Sequence, residues 1–176
     1  DCNGTPTDLA ENFGTSDVSI EAGDVVVITG EAQKITVRGT PTSKAFIKKS
    51  EKPYQSTVVG VVSTAPSELY GDDGVFDALD NPRPVSLAGR VPLKVTTANG
   101  KIKAGDVITS SDTPGVGMKA TRAGRVVGMA LESFATDGIG KILVFVNPSY
   151  YLGELLASGS LDNVTNPDGT LTAKYQ

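Results

Sequence analysis

Glu21-Ala22-Gly23-Asp24-Val25-Val26-Val27-Ile28 and, further on, Lys103-Ala104-Gly105-Asp106-Val107-Ile108-Thr109 give the same instruction twice: a tight turn feeding a β-branched run. Each is followed by a Gly-centred apolar stretch, Val58-Val59-Gly60-Val61-Val62 in the first half and Val126-Val127-Gly128-Met129-Ala130 in the second. Glycine permits a positive φ or a close backbone approach where a side chain would collide. An Ala-Gly-Asp turn opening a strand and a Gly-centred strand closing the unit therefore mark a duplicated β-module. The expectation is one pseudo-symmetric all-β domain, a compact barrel or sandwich, with function displaced to loops and termini.

Composition agrees with this reading. The chain has 176 residues, 39% of them hydrophobic, enough for one core and short for two ordinary domains. Its 20 glycines and 10 prolines divide it into short pieces rather than long helices. A formal charge of -4, with Lys48-Lys49 as the densest basic run, argues against a nucleic-acid partner. No apolar stretch approaches the roughly 20 residues of a membrane span, and no signal peptide is read. With no His and a single Cys, Cys2, the chain can build neither a Ser-His-Asp nor a Cys-His catalytic set, nor an internal disulfide. A zinc-thiolate site is excluded on the same grounds, and no cofactor or metal is expected. Any chemistry must come from carboxylates, Lys, Tyr, Ser or backbone groups.

Three regions follow. Residues 1–17 are polar and turn-rich, interrupted by Asp8-Leu9-Ala10-Glu11-Asn12-Phe13. Residues 18–148 carry the β pattern, with strands predicted near 24–29, 34–38, 44–48, 57–63, 106–110, 116–120, 124–132 and 141–146. Val85 to Val95 reads as a strand pair or one bent strand, with Gly89 as a bulge and Pro92 at an edge. Asn99-Gly100 is the strongest hairpin signal, and Ile142-Leu143-Val144-Phe145-Val146 reads as a strand buried on both faces. Residues 65–84 form a long acidic loop, an exposed excursion of the kind that carries contacts. Residues 149–176 are predicted to hold a short helix, with Leu152, Leu155 and Leu156 on one face, and then an extended tail.

These segments resemble a known family. The resemblance rests on Asp8-Leu9-Ala10-Glu11, on Val58-Val59-Gly60-Val61-Val62-Ser63-Thr64-Ala65-Pro66, on Pro84 to Val95 and on Gly100-Lys101-Ile102-Lys103-Ala104-Gly105-Asp106. It covers roughly residues 8–147, and its most specific piece is Gly89-Arg90-Val91-Pro92. The family is the self-cleaving intramolecular-chaperone domain at the C-terminal end of phage neck-appendage and tail-spike-like proteins, found also in large bacterial surface proteins. It implies a β-rich fold, trimers with a fibrous neighbour upstream, and in phage members autoproteolysis of the glutamic-peptidase type. Asp8 and Glu11 match its acidic motif and are the catalytic candidates that the resemblance implies.

The residues themselves leave two readings of that pair. An Asp can attack its own carbonyl carbon while a second carboxyl, held protonated, delivers a proton to the leaving nitrogen. Spacing of three would place both groups on one side of a helical turn. Equally, Asp8 can cap a short turn with Glu11 completing a capping box.

Other signals are weaker. Asp72, Asp73, Asp77 and Asp80 lack the spacing of a calcium loop and read as a solvated acidic surface. Gly115-Val116-Gly117 reads as a hairpin connection, and Arg90, Arg122 and Arg125 as rim salt-bridge partners. Asn3-Gly4-Thr5 and Asn163-Val164-Thr165 fit the glycosylation pattern.

Three functions remain in view. The first is a structural module of a phage appendage or bacterial surface fibre or filament, at a virion, cell surface or extracellular location. It would self-associate as a homo-oligomer, trimer or filament, through its termini. Leu152, Leu155 and Leu156 would anchor the tail and Leu161, Val164, Leu171 and Tyr175 would add an edge strand to a neighbour. The second is a self-processing peptidase acting once through Asp8 and Glu11. The third is a surface or carbohydrate-binding module, which the absence of Trp and a 6% aromatic content disfavour. Action on external substrates is not expected.

Overall fold

The computed structural model describes residues 7–71 and 74–153. Ten strands follow in chain order: β1 Asp8–Phe13, β2 Val25–Val37, β3 Thr40–Lys49, β4 Val58–Val62, β5 Glu68–Tyr70, β6 Arg83–Thr96, β7 Val107–Ser110, β8 Gly117–Lys119, β9 Gly124–Ala130 and β10 Ile139–Tyr151. Helical structure among the described residues is a single 3-10 turn, Ala78–Asp80. The fold is all-β, as the composition predicts.

The strands form one sheet in the order β10-β9-β7-β8-β6-β4-β2-β3, and an added β10–β6 pairing closes β10, β9, β7, β8 and β6 into a ring. β6 is the strand both halves share. Its first part pairs with β1 and β4, and its second with β10 and β8. The change of partners falls at Gly89, which faces both Asp8 and Val146 and has φ +114°. A Cβ there would stand 2.6 Å from the Asp8 Cα, so the bend predicted from Gly89 is also a close crossing of β1 over β6.

The repeat read in the sequence is present bond for bond. Gly23 (φ +92°) and Gly105 (φ +93°) hold equivalent turns. The Glu21 N–H donates to Asp24 Oδ2 at 2.9 Å and the Lys103 N–H to Asp106 Oδ2 at 2.8 Å. The Gly23 N–H reaches the Val62 carbonyl at 2.9 Å, and the Gly105 N–H reaches the Ala130 carbonyl at 2.8 Å. Val26 faces Gly60 across β2 and β4 as Ile108 faces Gly128 across β7 and β9. A Cβ on Gly60 would overlap the Ser86 carbonyl oxygen, and one on Gly128 that of Phe145. Both glycines are required by close backbone approach. Module one thus consists of β2, β3, β4 and the first part of β6, and module two of β7, β8, β9 and β10.

Two cores result. The larger joins Val25, Val27, Val58 and Val61 of module one to Val91, Leu93, Val95, Ile102, Ile108, Val127, Ala130, Ile142, Val144 and Val146. The smaller holds Phe13, Ile20, Val26, Ile47, Val62 and Val85. Residues 25–27 of β2 and the strand β4 therefore lie between the cores, buried on both faces, while the rest of β2 runs out into solvent with β3.

Several expectations are corrected. Asp8 to Phe13 is neither a helical turn nor a cap but strand β1. Leu, Ala and Glu favour helix locally, yet β6 and β5 offer ladder partners on both sides, and tertiary pairing wins. The segments predicted at 24–29 and 34–38 are one strand, β2, and the two-residue hairpin turn is Arg38-Gly39, with φ 51° and 81°. At Asn99-Gly100 the chain instead makes a turn in which the Gly100 N–H donates to Thr97 O at 2.7 Å. β10 is buried on one face only, with Ile142, Val144 and Val146 inward and Phe145 45% exposed. It also runs on through Asn147-Pro148 to Tyr151, so Tyr150 and Tyr151 are strand, not helix. Pro148 sits where the register shifts between Val146 and Ser149, a position that needs no ladder donor.

Replacing Gly60 or Gly128 by Ala is expected to cost about 1–3 kcal/mol each, because backbone must move to admit the methyl group. Urea denaturation checks this, and similar losses at both sites are the outcome that the duplication requires.

Candidate functional site

On β1 the burial pattern alternates, so Asp8 and Ala10 point inward while Leu9 and Glu11 point to solvent. The catalytic candidates Asp8 and Glu11 therefore lie on opposite faces of one strand, and the shared helical face expected of them is absent. Asp8 is 4% exposed, and its Oδ2 has no hydrogen-bond partner among the described residues. Its carbonyl oxygen accepts the Ser67 N–H at 3.0 Å.

The strongest electrostatic feature was not read from the sequence. The Asp24 carboxylate, 1% exposed, lies 2.6 Å from the Lys94 ammonium and 3.3 Å from that of Lys49. Lys94 also bonds Glu21. Gly115 is forced by the same site, since a Cβ there would stand 2.7 Å from Asp24 Oδ1. Burial works against the Lys94 charge, but hydrogen bonds to Asp24 and Glu21 outweigh it and hold its pKa above the ordinary lysine value. The hydrogen bond from Lys94 holds Glu21 below the usual carboxylate range. Module two repeats the arrangement with one lysine: Lys119 lies 2.9 Å from Asp106, their side chains 31% and 20% exposed. Burial again opposes the Asp106 charge, and the Lys103 N–H and Lys119 overcome it, so that its pKa is lowered. The available signal was a Lys in the equivalent position of each module, Lys49 and Lys119, opposite Val26 and Ile108.

The acidic loop is fastened rather than simply solvated. Asp77 and Asp80 form a capping box around the 3-10 turn, and Lys44 on β3 bonds Asp80 at 2.5 Å. That hydrogen bond, with the Asp77 N–H, lowers the Asp80 pKa. Asp72 and Asp73 lie outside the described residues, and among the described residues no group of three or more His, Cys, Asp or Glu could hold a metal ion. Arg122 lies 4.0 Å over the Tyr54 ring, and Arg125 donates to the Val58 carbonyl at 3.1 Å, where rim salt bridges were expected. The Tyr54 hydroxyl accepts the Thr121 and Arg122 N–H groups at 2.7 and 3.1 Å, clamping the turn before β9. Of the assembly candidates, Leu152 is 54% exposed. Leu155, Leu156, Leu161, Val164, Leu171 and Tyr175, like both glycosylation patterns, fall outside the described residues.

The fold is thus a duplicated β-module closed around a shared strand, and the buried charges just described fasten it. Among solved structures it is similar to the C-terminal fragment of gene product 12 of bacteriophage phi29. The likeness has a TM-score of 0.50 and 18% identity over 80% of this chain and 100% of that one, and it shows the fold. No protein-family model and no curated protein matches the chain.

Lys94→Met leaves the buried Asp24 carboxylate with Lys49 alone, at 3.3 Å, and is expected to lower unfolding free energy by roughly 2 kcal/mol, less than the full loss of a buried partner, and Lys119→Met, at the wetter site, by less. The carboxylates Glu21, Asp80 and Asp106 have lowered folded pKa values, so their contribution is full above the unfolded values of 4.5 and 3.8 and is lost as pH falls through the folded ones. Urea titrations at falling pH check both statements, with wild-type stability declining below about pH 4.

Proposed function

We propose that this chain is a structural assembly module of a phage appendage or bacterial surface fibre, acting as a homo-oligomer outside the cell or on a virion. The observation that carries this reading is the likeness of fold to a phage protein's C-terminal fragment over that fragment's whole length. The resemblance of residues 8–147 to the phage appendage family points the same way. The arrangement of charge is also that of a scaffold: Asp24, Asp80 and Asp106 are each taken up by a lysine and a backbone N–H. In this reading the segment beyond Tyr151, with Leu152, Leu155, Leu156, Leu161, Val164, Leu171 and Tyr175, adds contacts to a neighbouring copy. Light scattering on the full chain is expected to give a multiple of the single-chain mass, and deletion of residues 158–176 to reduce it. A single-chain mass for the intact protein would overturn the reading.

A second reading, self-processing through Asp8 and Glu11, is favoured by one observation, the buried Asp8 oxygen without a partner among the described residues. In it the Asp8 carboxylate attacks its own carbonyl carbon, whose oxygen is held by the Ser67 N–H. The bond to the Leu9 nitrogen breaks, the nitrogen takes a proton, and water opens the cyclic anhydride. Glu11 stands on the other face of β1, so it supplies that proton only once the strand leaves its ladder. Intact mass after incubation should then show a new amino terminus at Leu9, abolished in Asp8→Asn. A wild-type chain that stays whole removes this reading.

A further inference from the structure

The two modules treat one face in opposite ways. In module two, Val107, Met129, Phe145 and Arg90 lie directly opposite one another across β7, β9, β10 and β6. The equivalent row in module one is Val25, Val61, Ser86 and Ala10. All four of these are 0% exposed. Val25 and Val61 are covered because they pack into the larger core against module two. In module two the row is open at its centre: Met129, in the place of Val61, is 47% exposed and Phe145, in the place of Ser86, 45%. The next row extends the apolar surface, since Leu131, 39% exposed, bonds through its N–H to Leu143, which faces Pro92.

This face of the unit is thus a packing face, which module one uses inside the chain and module two leaves unfilled among the described residues. Met129 is larger than the buried Val61 it corresponds to, and Phe145 larger and more apolar than the buried Ser86, the reverse of what a solvent face of a sheet requires. The occupant of the equivalent face in module one is another module of the same kind.

We infer that the outer face of β9 and β10, centred on Met129 and Phe145, is the surface on which a second copy of this chain packs. The inference rests on the assembly reading above and assigns its contact to the sheet itself, beside whatever the tail contributes. An isologous two-fold arrangement places the same patch from each copy at the contact, which closes the assembly.

Light scattering of full-length Phe145→Glu tests it, with far-UV circular dichroism on the same sample. The expected result is loss of the multimer to a single-chain mass with an unchanged β spectrum. Met129→Glu is the second variant, read the same way should the first not fold, and Leu79→Glu is the control: Leu79 is 96% exposed on the acidic loop, and its variant should keep the wild-type mass. Folded variants that both keep the wild-type multimer overturn this surface and leave the assembly reading standing. A wild-type chain that is single at about 100 μM overturns both.

Discussion

A carboxylate set one residue before a strand, and bonded back to the N–H three residues earlier, is the constraint on which the rest of this fold depends. At Asp24 it is withdrawn from water altogether, and an anion in that position is tolerated only with charged and hydrogen-bonding partners in place. Those partners come from β3, from β6 and from the turn itself, while the glycine at position 115 is what lets the β7–β8 connection close over it. One side chain thus fixes where four separate segments meet. Its counterpart Asp106 performs the same turn with one lysine at a wetter site.

The duplication explains the architecture more fully than the strand count does. Two similar units are joined with the back of the first on the interior of the second, so residues 25–27 of β2 and the strand β4 are apolar on both sides while β9 and β10 are apolar inside and mixed outside. The sequence shows this in the run Val25-Val26-Val27, which has no alternation, against Gly128-Met129-Ala130, where burial alternates residue by residue.

What was legible in the sequence was local and repeated: the two Ala-Gly-Asp turns, the Gly-centred strands, the bend at Gly89 and the all-β class. What was not legible depended on distant partners. Asp8 to Phe13 carries helix-favouring residues and becomes a strand because β5 and β6 flank it. The β region was expected to end at residue 148, yet Pro148 is absorbed by a register shift and β10 runs on to Tyr151. Arg38 is an unusual residue for a positive φ, so the true hairpin turn was hidden behind the stronger signal at Asn99-Gly100. The ion pairs of Asp24, Asp80 and Asp106 join residues far apart in the chain, and periodicity says nothing of such pairs.

The sharing of β6 also sets the order of folding. β1 and β4 pair with its first part, and β8 and β10 with its second, so neither module has a complete sheet until the same fourteen-residue strand is in place. Strand β1 finds its antiparallel partner only in residues 83–89, which makes its pairing one of high sequence separation. Chains dominated by such non-local pairings fold over milliseconds to seconds rather than microseconds. A nascent chain ending before β6 would leave one edge of β1 and one of β4 without the strand that pairs them in the finished sheet.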